Sequence, residues 1–210
     1  MAPILEEFGT IREVQTVTET AARERDLNSL SLLTAIIILA TVTMMFGAII
    51  TVFIDRSLGP RFWGHIHVPK ILWATTTVLL ASSALLEIAR RRLKEHDRQA
   101  FFRFTSYAAV LGVLFLAGQL VAWFQILGSG VSLAANAHSW FIFLFTGLHG
   151  MHIVAGLAGL ACLLVRTRVP AGGPKYQMTT RVVANGVFVF WHYLDFLWLL
   201  LFALLLAWRR

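Results

Sequence analysis

Five apolar blocks, each long enough to cross a bilayer, constrain this chain more than any other feature. A helix needs roughly 20 apolar residues to span about 30 Å of hydrocarbon. The blocks fall at about 31–53, 68–89, 104–126, 140–165 and 186–208. Over the whole chain 58% of residues are hydrophobic and 14% charged, whereas soluble domains run nearer half apolar and a quarter charged. A membrane β-barrel would show segments of about ten residues with polar side chains at alternate positions, and none is visible. The expected fold is therefore all-α, an integral membrane bundle of five transmembrane helices. No polar linker is long enough to separate two cores, so 31–210 reads as one membrane domain. Residues 1–30 carry six acids (Glu6, Glu7, Glu13, Glu19, Glu24, Asp26) and three arginines. A secretory signal opens on a short basic region followed by an apolar stretch and a cleavage site. This segment reads instead as a polar, partly helical extension that stays attached.

The net charge of +7 would suit a nucleic-acid partner if the basic residues formed a patch. They sit instead at the ends of the apolar blocks, which is where loops of membrane proteins carry them, so no nucleic-acid partner is expected. Thirteen of the 18 Lys and Arg fall on one side: Arg12, Arg23 and Arg25, the six from Arg90 to Arg103, and Arg166, Arg168, Lys175 and Arg181. Arg56, Arg61, Lys70, Arg209 and Arg210 are the five on the other. The positive-inside rule then places the N-terminus in the cytoplasm and the C-terminus outside. Trp63 falls in the outer loop, and Trp140 and Trp208 near helix ends, where indole rings prefer the interface. Trp73, Trp191 and Trp198 lie deeper and are expected to pack between helices. The single cysteine, Cys162, excludes an intrachain disulfide or a CxxC pair.

Polar side chains at membrane depth are costly and mark helix contacts or functional paths. Of seven histidines, His65, His67, His96 and His138 fall in loops, leaving three in the membrane. His149 and His152 share one face of the fourth helix, and His192 and Asp195 share one face of the fifth, each pair three residues apart. Gly147, Gly150, Gly156 and Gly159 allow another helix to approach closely. With the fourth helix running inward and the fifth outward, His152 and Asp195 differ in depth by roughly 6 Å, so a histidine–aspartate hydrogen bond between the helices is within reach. His149, His152, His192 and Asp195 are expected to form a structural polar cluster. A proton pathway and a metal site on the same residues stay open as rivals. Thr34, Thr41 and Thr43 can bond their own backbone carbonyls, and Thr75–Thr77, Ser82, Ser83 and Gln119 read as interhelical hydrogen bonds or close packing. Glu87 beside Arg90 and Arg91 reads as an interfacial ion pair. No phosphate loop, nucleophile–base pair or dinucleotide fingerprint is present, and no catalytic, cofactor-binding or metal-binding residue is assigned.

Two stretches carry a more specific signal. Thr146-Gly147-Leu148-His149-Gly150-Met151-His152 resembles the TG-x-HG-x-H segment of haem-copper oxidase subunit III, and Phe190-Trp191-His192-Tyr193-Leu194-Asp195-Phe196-Leu197-Trp198 resembles that family's YWHFVDVVW segment. Weaker echoes run from Trp73 to Ser83 and over Ala117-Gly118-Gln119. The resemblance implies the bacterial five-helix form of cytochrome c oxidase subunit III, in the bacterial inner membrane. Such a subunit holds no haem or copper itself. It packs against the catalytic subunit I in a complex that also contains subunit II, sustains proton uptake, and holds phospholipid in a cleft between its helices. Arg166, fourteen residues after His152, matches a family arginine that contacts a lipid headgroup. Two departures stand out: Val42 occupies the position of the family's buried glutamate, and Ala122 that of a second glutamate. A nitric oxide reductase accessory subunit, a quinol oxidase subunit III, a free-standing membrane metalloprotein and a transporter are the competing readings. Electron donor, haem types and membership of a larger respiratory supercomplex are not legible.

Overall fold

A computed structural model of the chain describes residues 2–57, 70–128, 137–168 and 174–207. These residues form five helices: α1 (Ala2–Ser57), α2 (Ile71–Lys94), α3 (Arg98–Gly128), α4 (Ala137–Arg168) and α5 (Pro174–Ala207). Each contains a stretch long and apolar enough to cross a membrane, beginning at Leu33 in α1 and Thr180 in α5. Helices are the form required at that depth, because every backbone N–H and C=O is satisfied within its own segment where no water is present.

The ends of the helices run beyond the apolar blocks. α2 continues through Arg90, Arg91, Arg92 and Lys94, past the expected end near 89, and α3 starts at Arg98 rather than near 104. Long basic side chains are good helix formers and reach for water from an apolar stem, so hydropathy marks the hydrocarbon core and not the end of the helix. What ends α2 is a three-residue turn. The Glu95 amide bonds Arg91 O at 3.1 Å, and His96 takes the left-handed conformation at φ 63°. Asp97 Oδ1 then accepts from the Ala100 amide at 2.9 Å, capping α3 in the manner preferred at helix N-termini. α5 begins at Pro174, twelve residues before the expected start near 186, and proline suits a first helical position. α1 is one continuous helix through both the polar extension and the first span.

Among the described residues α2, α3, α4 and α5 form a closed ring in which each packs on two neighbours, α2 closing against α5. α1 stands outside the ring, against α5 and to a smaller extent α4, and does not contact α2 although the two are consecutive in sequence. The ring interior is filled by Phe115, Leu160, Phe188, Trp191 and Trp198, with Leu79 and Leu86 from α2. A second apolar cluster joins Val42, Phe46 and Phe53 of α1 to Phe141 and Phe145 of α4 and Leu197 and Leu201 of α5. At one end Arg98 donates through Nε at 2.7 Å, and through Nη2, to Thr167 O. It thus ties the start of α3 to the C-terminal turn of α4, where a cation is favoured. The Arg168 guanidinium lies 5.1 Å over the Phe102 ring.

Trp191 and Trp198 are buried as expected, whereas Trp73 is 54% exposed and meets Phe202 edge-on at 5.0 Å. This corrects the expectation that Trp73 packs between helices: it lies one turn into α2, on the rim of the bundle. Trp63, His65, His67, Arg61, Trp208, Arg209 and Arg210 lie outside the described residues, as do the side chains of Arg12, Arg23, Arg25, His138 and Lys175.

Candidate functional site

The polar side chains at membrane depth sit on the seams between helices. On α2 adjacent serines divide their work: Ser82 Oγ donates to Ala108 O of α3 at 2.9 Å, and Ser83 Oγ lies 2.6 Å from His192 Nδ1 of α5. Thr75 accepts from Gln119 Nε2 of α3 at 3.2 Å. Thr76 accepts from the Trp198 indole of α5 at 3.0 Å. Both threonines return their own proton to Leu72 O, so each is a donor and an acceptor with no polar atom left over. Between α3 and α4, Trp123 Nε1 donates to Thr146 at 2.9 Å. α1 is pinned by Tyr193, whose hydroxyl lies 2.6 Å from Thr43 Oγ1, while Thr34, Thr41 and Thr43 bond carbonyls one turn back as expected. Glu87 pairs with Arg90 at 3.8 Å and Arg91 at 3.6 Å, again as expected.

His149, His152, His192 and Asp195 occupy three different seams. His149 is fully buried in an aromatic slot, its ring stacked on Trp198 at 5.2 Å and edge-on to Phe115 at 6.0 Å. Neither of its nitrogens has a hydrogen-bond partner. His152 turns toward α1, with its ring 5.7 Å from Phe46, and donates from Nδ1 to Leu148 O at 2.7 Å. His192 faces α2 through Ser83. Asp195 is 5% exposed, and its oxygens make no close hydrogen bond, the Ser83 hydroxyl being the side-chain donor within longer reach. The nearest ring nitrogen is His192 Nδ1, 3.9 Å from Oδ2. Neither histidine of α4 therefore makes the reachable bond to Asp195, because one ring is held between aromatics and the other is bound to its own backbone. Among the described residues no three His, Cys, Asp or Glu side chains converge as a metal-ligand set.

Glycines set how closely the helices approach. A Cβ on Gly156 would stand 3.0 Å from Cε3 of Trp191, and one on Gly159 3.0 Å from Val187. Gly118 of α3 lies directly against Thr75. Along α1 the two late helices leave a cleft of about 330 Å³, lined by Thr34, Ile38, Ala155, Gly159, Gly186 and Phe190 among others. Arg166 lies seven residues beyond Gly159 on α4, so two turns on and on nearly the same face. The sequence reading did not foresee Ser83 as the partner of His192, nor Thr43 as that of Tyr193.

Fold and site together define a class: a polytopic helical membrane protein whose inward polar groups clamp helix to helix. Within that class the chain belongs to the cytochrome c oxidase subunit III family, whose description matches residues 16–210. A probable cytochrome c oxidase subunit 3 of Nocardia farcinica is 30% identical over 134 residues, 64% of this chain and 64% of that relative, so less than two thirds of the relative's length is spanned. Cytochrome c oxidase subunit 3 of a Synechocystis species is 25% identical over 171 residues, 80% of this chain and 70% of the relative. That of Corynebacterium diphtheriae is 25% identical over 174 residues, 80% and 82%.

Proposed function

We propose that the chain is the non-catalytic subunit III of a proton-pumping haem-copper terminal oxidase of the cytochrome c type, in a bacterial plasma membrane. The observation that carries the proposal is the family match over residues 16–210, which takes in every membrane span. In this reading O2 is reduced in subunit I, haem and copper reside in subunits I and II, and this chain packs against subunit I to sustain its turnover and proton uptake. The N-terminus and the polar segment 1–30 lie in the cytoplasm and the C-terminus outside, as supported by the thirteen-to-five division of basic residues. His149, His152 and His192 hold helices in place in this reading. Phospholipid occupies the cleft between α1, α4 and α5, with an acyl chain against its apolar wall and the headgroup at Arg166. A guanidinium suits that task, because it forms paired hydrogen bonds to phosphate.

The experiment is to purify the oxidase from cells with and without this chain, and with Arg166→Gln. Removing the chain is expected to leave the haem spectrum in place while oxygen consumption decays during turnover and proton uptake slows. Arg166→Gln is expected to lower the phospholipid that copurifies. Sustained turnover without the chain, at the rate of the full complex, would contradict the proposed role.

A further inference from the structure

Asp195 is the buried carboxyl among the polar side chains that the helix clamps leave unexplained. It lies on α5 about nine residues, roughly 13 Å, past the start of the apolar block near 186, close to the middle of a hydrocarbon layer about 30 Å thick. It is buried at 5% exposure, and the Ser83 hydroxyl is the side-chain donor that reaches it, at longer than ordinary hydrogen-bond distance. A lone carboxylate at such a depth is far more costly than a neutral carboxylic acid. The charged and titratable groups on the surrounding helices do not supply a fixed countercharge. α2 brings Glu87, itself acidic, and Arg90, which Glu87 already holds. α4 brings His149 in its aromatic slot and His152 bound to its own backbone. α1 brings the Thr43 hydroxyl, which is engaged with Tyr193. His192 on α5 itself is the remaining group.

A path connects Asp195 to one face of the bundle. His192 Nδ1 stands 3.9 Å from Asp195 Oδ2 and 2.6 Å from Ser83 Oγ, so a single ring nitrogen serves both the carboxyl and the hydroxyl. Ser83 is one helical turn from Glu87, whose side chain is 41% exposed. Toward the opposite face Trp198 follows one turn on, bonded to Thr76 and stacked on Phe202.

We propose that Asp195 is a membrane-embedded proton-binding site, loaded and unloaded through His192 and Ser83 from the face of the membrane that carries Glu87. Side-chain rotation first closes the 3.9 Å gap to hydrogen-bond distance, and the carboxyl then gives its proton to His192 Nδ1, leaving a carboxylate beside an imidazolium with no net change of charge. The imidazolium passes a proton to Ser83 Oγ as the hydroxyl's own proton leaves toward Glu87 and water. The reverse sequence reloads the site with one proton from solution. The inference rests on packing within this chain and not on the assembly proposed above.

The test is infrared spectroscopy of the full chain in lipid nanodiscs. At neutral pH a protonated carboxylic acid band is expected that Asp195→Asn removes and Glu87→Gln leaves in place. In D2O that band shifts as the acid exchanges. Ser83→Ala and His192→Phe are each expected to slow the exchange by about fivefold, the rate equivalent of one lost hydrogen bond. If Asp195→Asn does not fold, aspartate labelled with carbon-13 assigns the band in the unaltered chain, since Asp26, Asp55 and Asp97 are exposed. A spectrum without a protonated aspartic acid band overturns the proposal, and so does exchange that proceeds at the unaltered rate in both Ser83→Ala and His192→Phe.

Discussion

Trp191 can lie at the centre of the ring because glycines on two neighbouring helices make room for it. On α4 the glycine is Gly156; on α3 a Cβ at Gly112 would stand 2.7 Å from Cη2 of the same indole and 3.0 Å from Leu157. Gly47 on α1, by contrast, has nothing within 4 Å of a Cβ position. Alanine favours a helix over glycine by about 1 kcal/mol, so Gly47→Ala is expected to be neutral or mildly stabilising. Gly112→Ala is expected to destabilise by about 1–3 kcal/mol, because a filled core must shift to admit the methyl group. Unfolding of both variants in detergent compares the two directly, and equal responses would show that Trp191 is not held against α3. The glycines of α4 were legible in the sequence because their spacing on one face has no other use in a membrane helix. The exposure of Trp73 was not legible. In lipid both the inner and outer faces of a helix are apolar, so the periodicity that reveals burial in a soluble helix is lost. Val42 shows the same limit from the other side. The resemblance marked it as a departure, and the packing gives its physical sense: the position is 5% exposed among Phe46, Phe141, Phe145 and Leu197, an apolar setting that suits valine.

The elements are unequally attached. α2 and α3 share a long seam with Ser82, Thr75 and Gln119 bonded across it, while α1 is fastened by apolar contacts and the Thr43–Tyr193 hydrogen bond. Tyr193→Phe removes that bond at a cost of about 1 kcal/mol. Amide exchange in the span beginning at Leu33 is therefore expected to accelerate about fivefold while α2 and α3 stay unchanged. Unchanged exchange in α1 would mean that the apolar contacts alone hold it. At this scale the number and order of the spans were legible, because a bilayer demands a minimum apolar length. The ends were not. They depend on the Asp97 cap and the left-handed His96, which local chemistry sets with no hydropathy signal. The site was legible by position and not by partner: the motif residues in α4 and α5 were found, but which helix each ring faces depends on the order of packing around the ring.

For the molecule as a whole, the exposed apolar surface is as informative as the core. α3 presents Val110, Val113, Leu114, Leu120, Val121 and Phe124 outward, and α4 presents Met151 and Val154, surfaces that lipid or another membrane subunit can cover equally well. The polar groups inside clamp helices, and the described residues bring together no metal-ligand set. In the function proposed above, this chain serves chemistry carried out by partner subunits. Solubilisation of the tagged chain in a gentle detergent, with visible spectra and mass spectrometry of what comes with it, tests that account most directly. The expected result is a complex with haem bands, a large polytopic partner and a copper-domain subunit. A colourless protein that purifies alone, with stoichiometric iron or zinc bound, would contradict it.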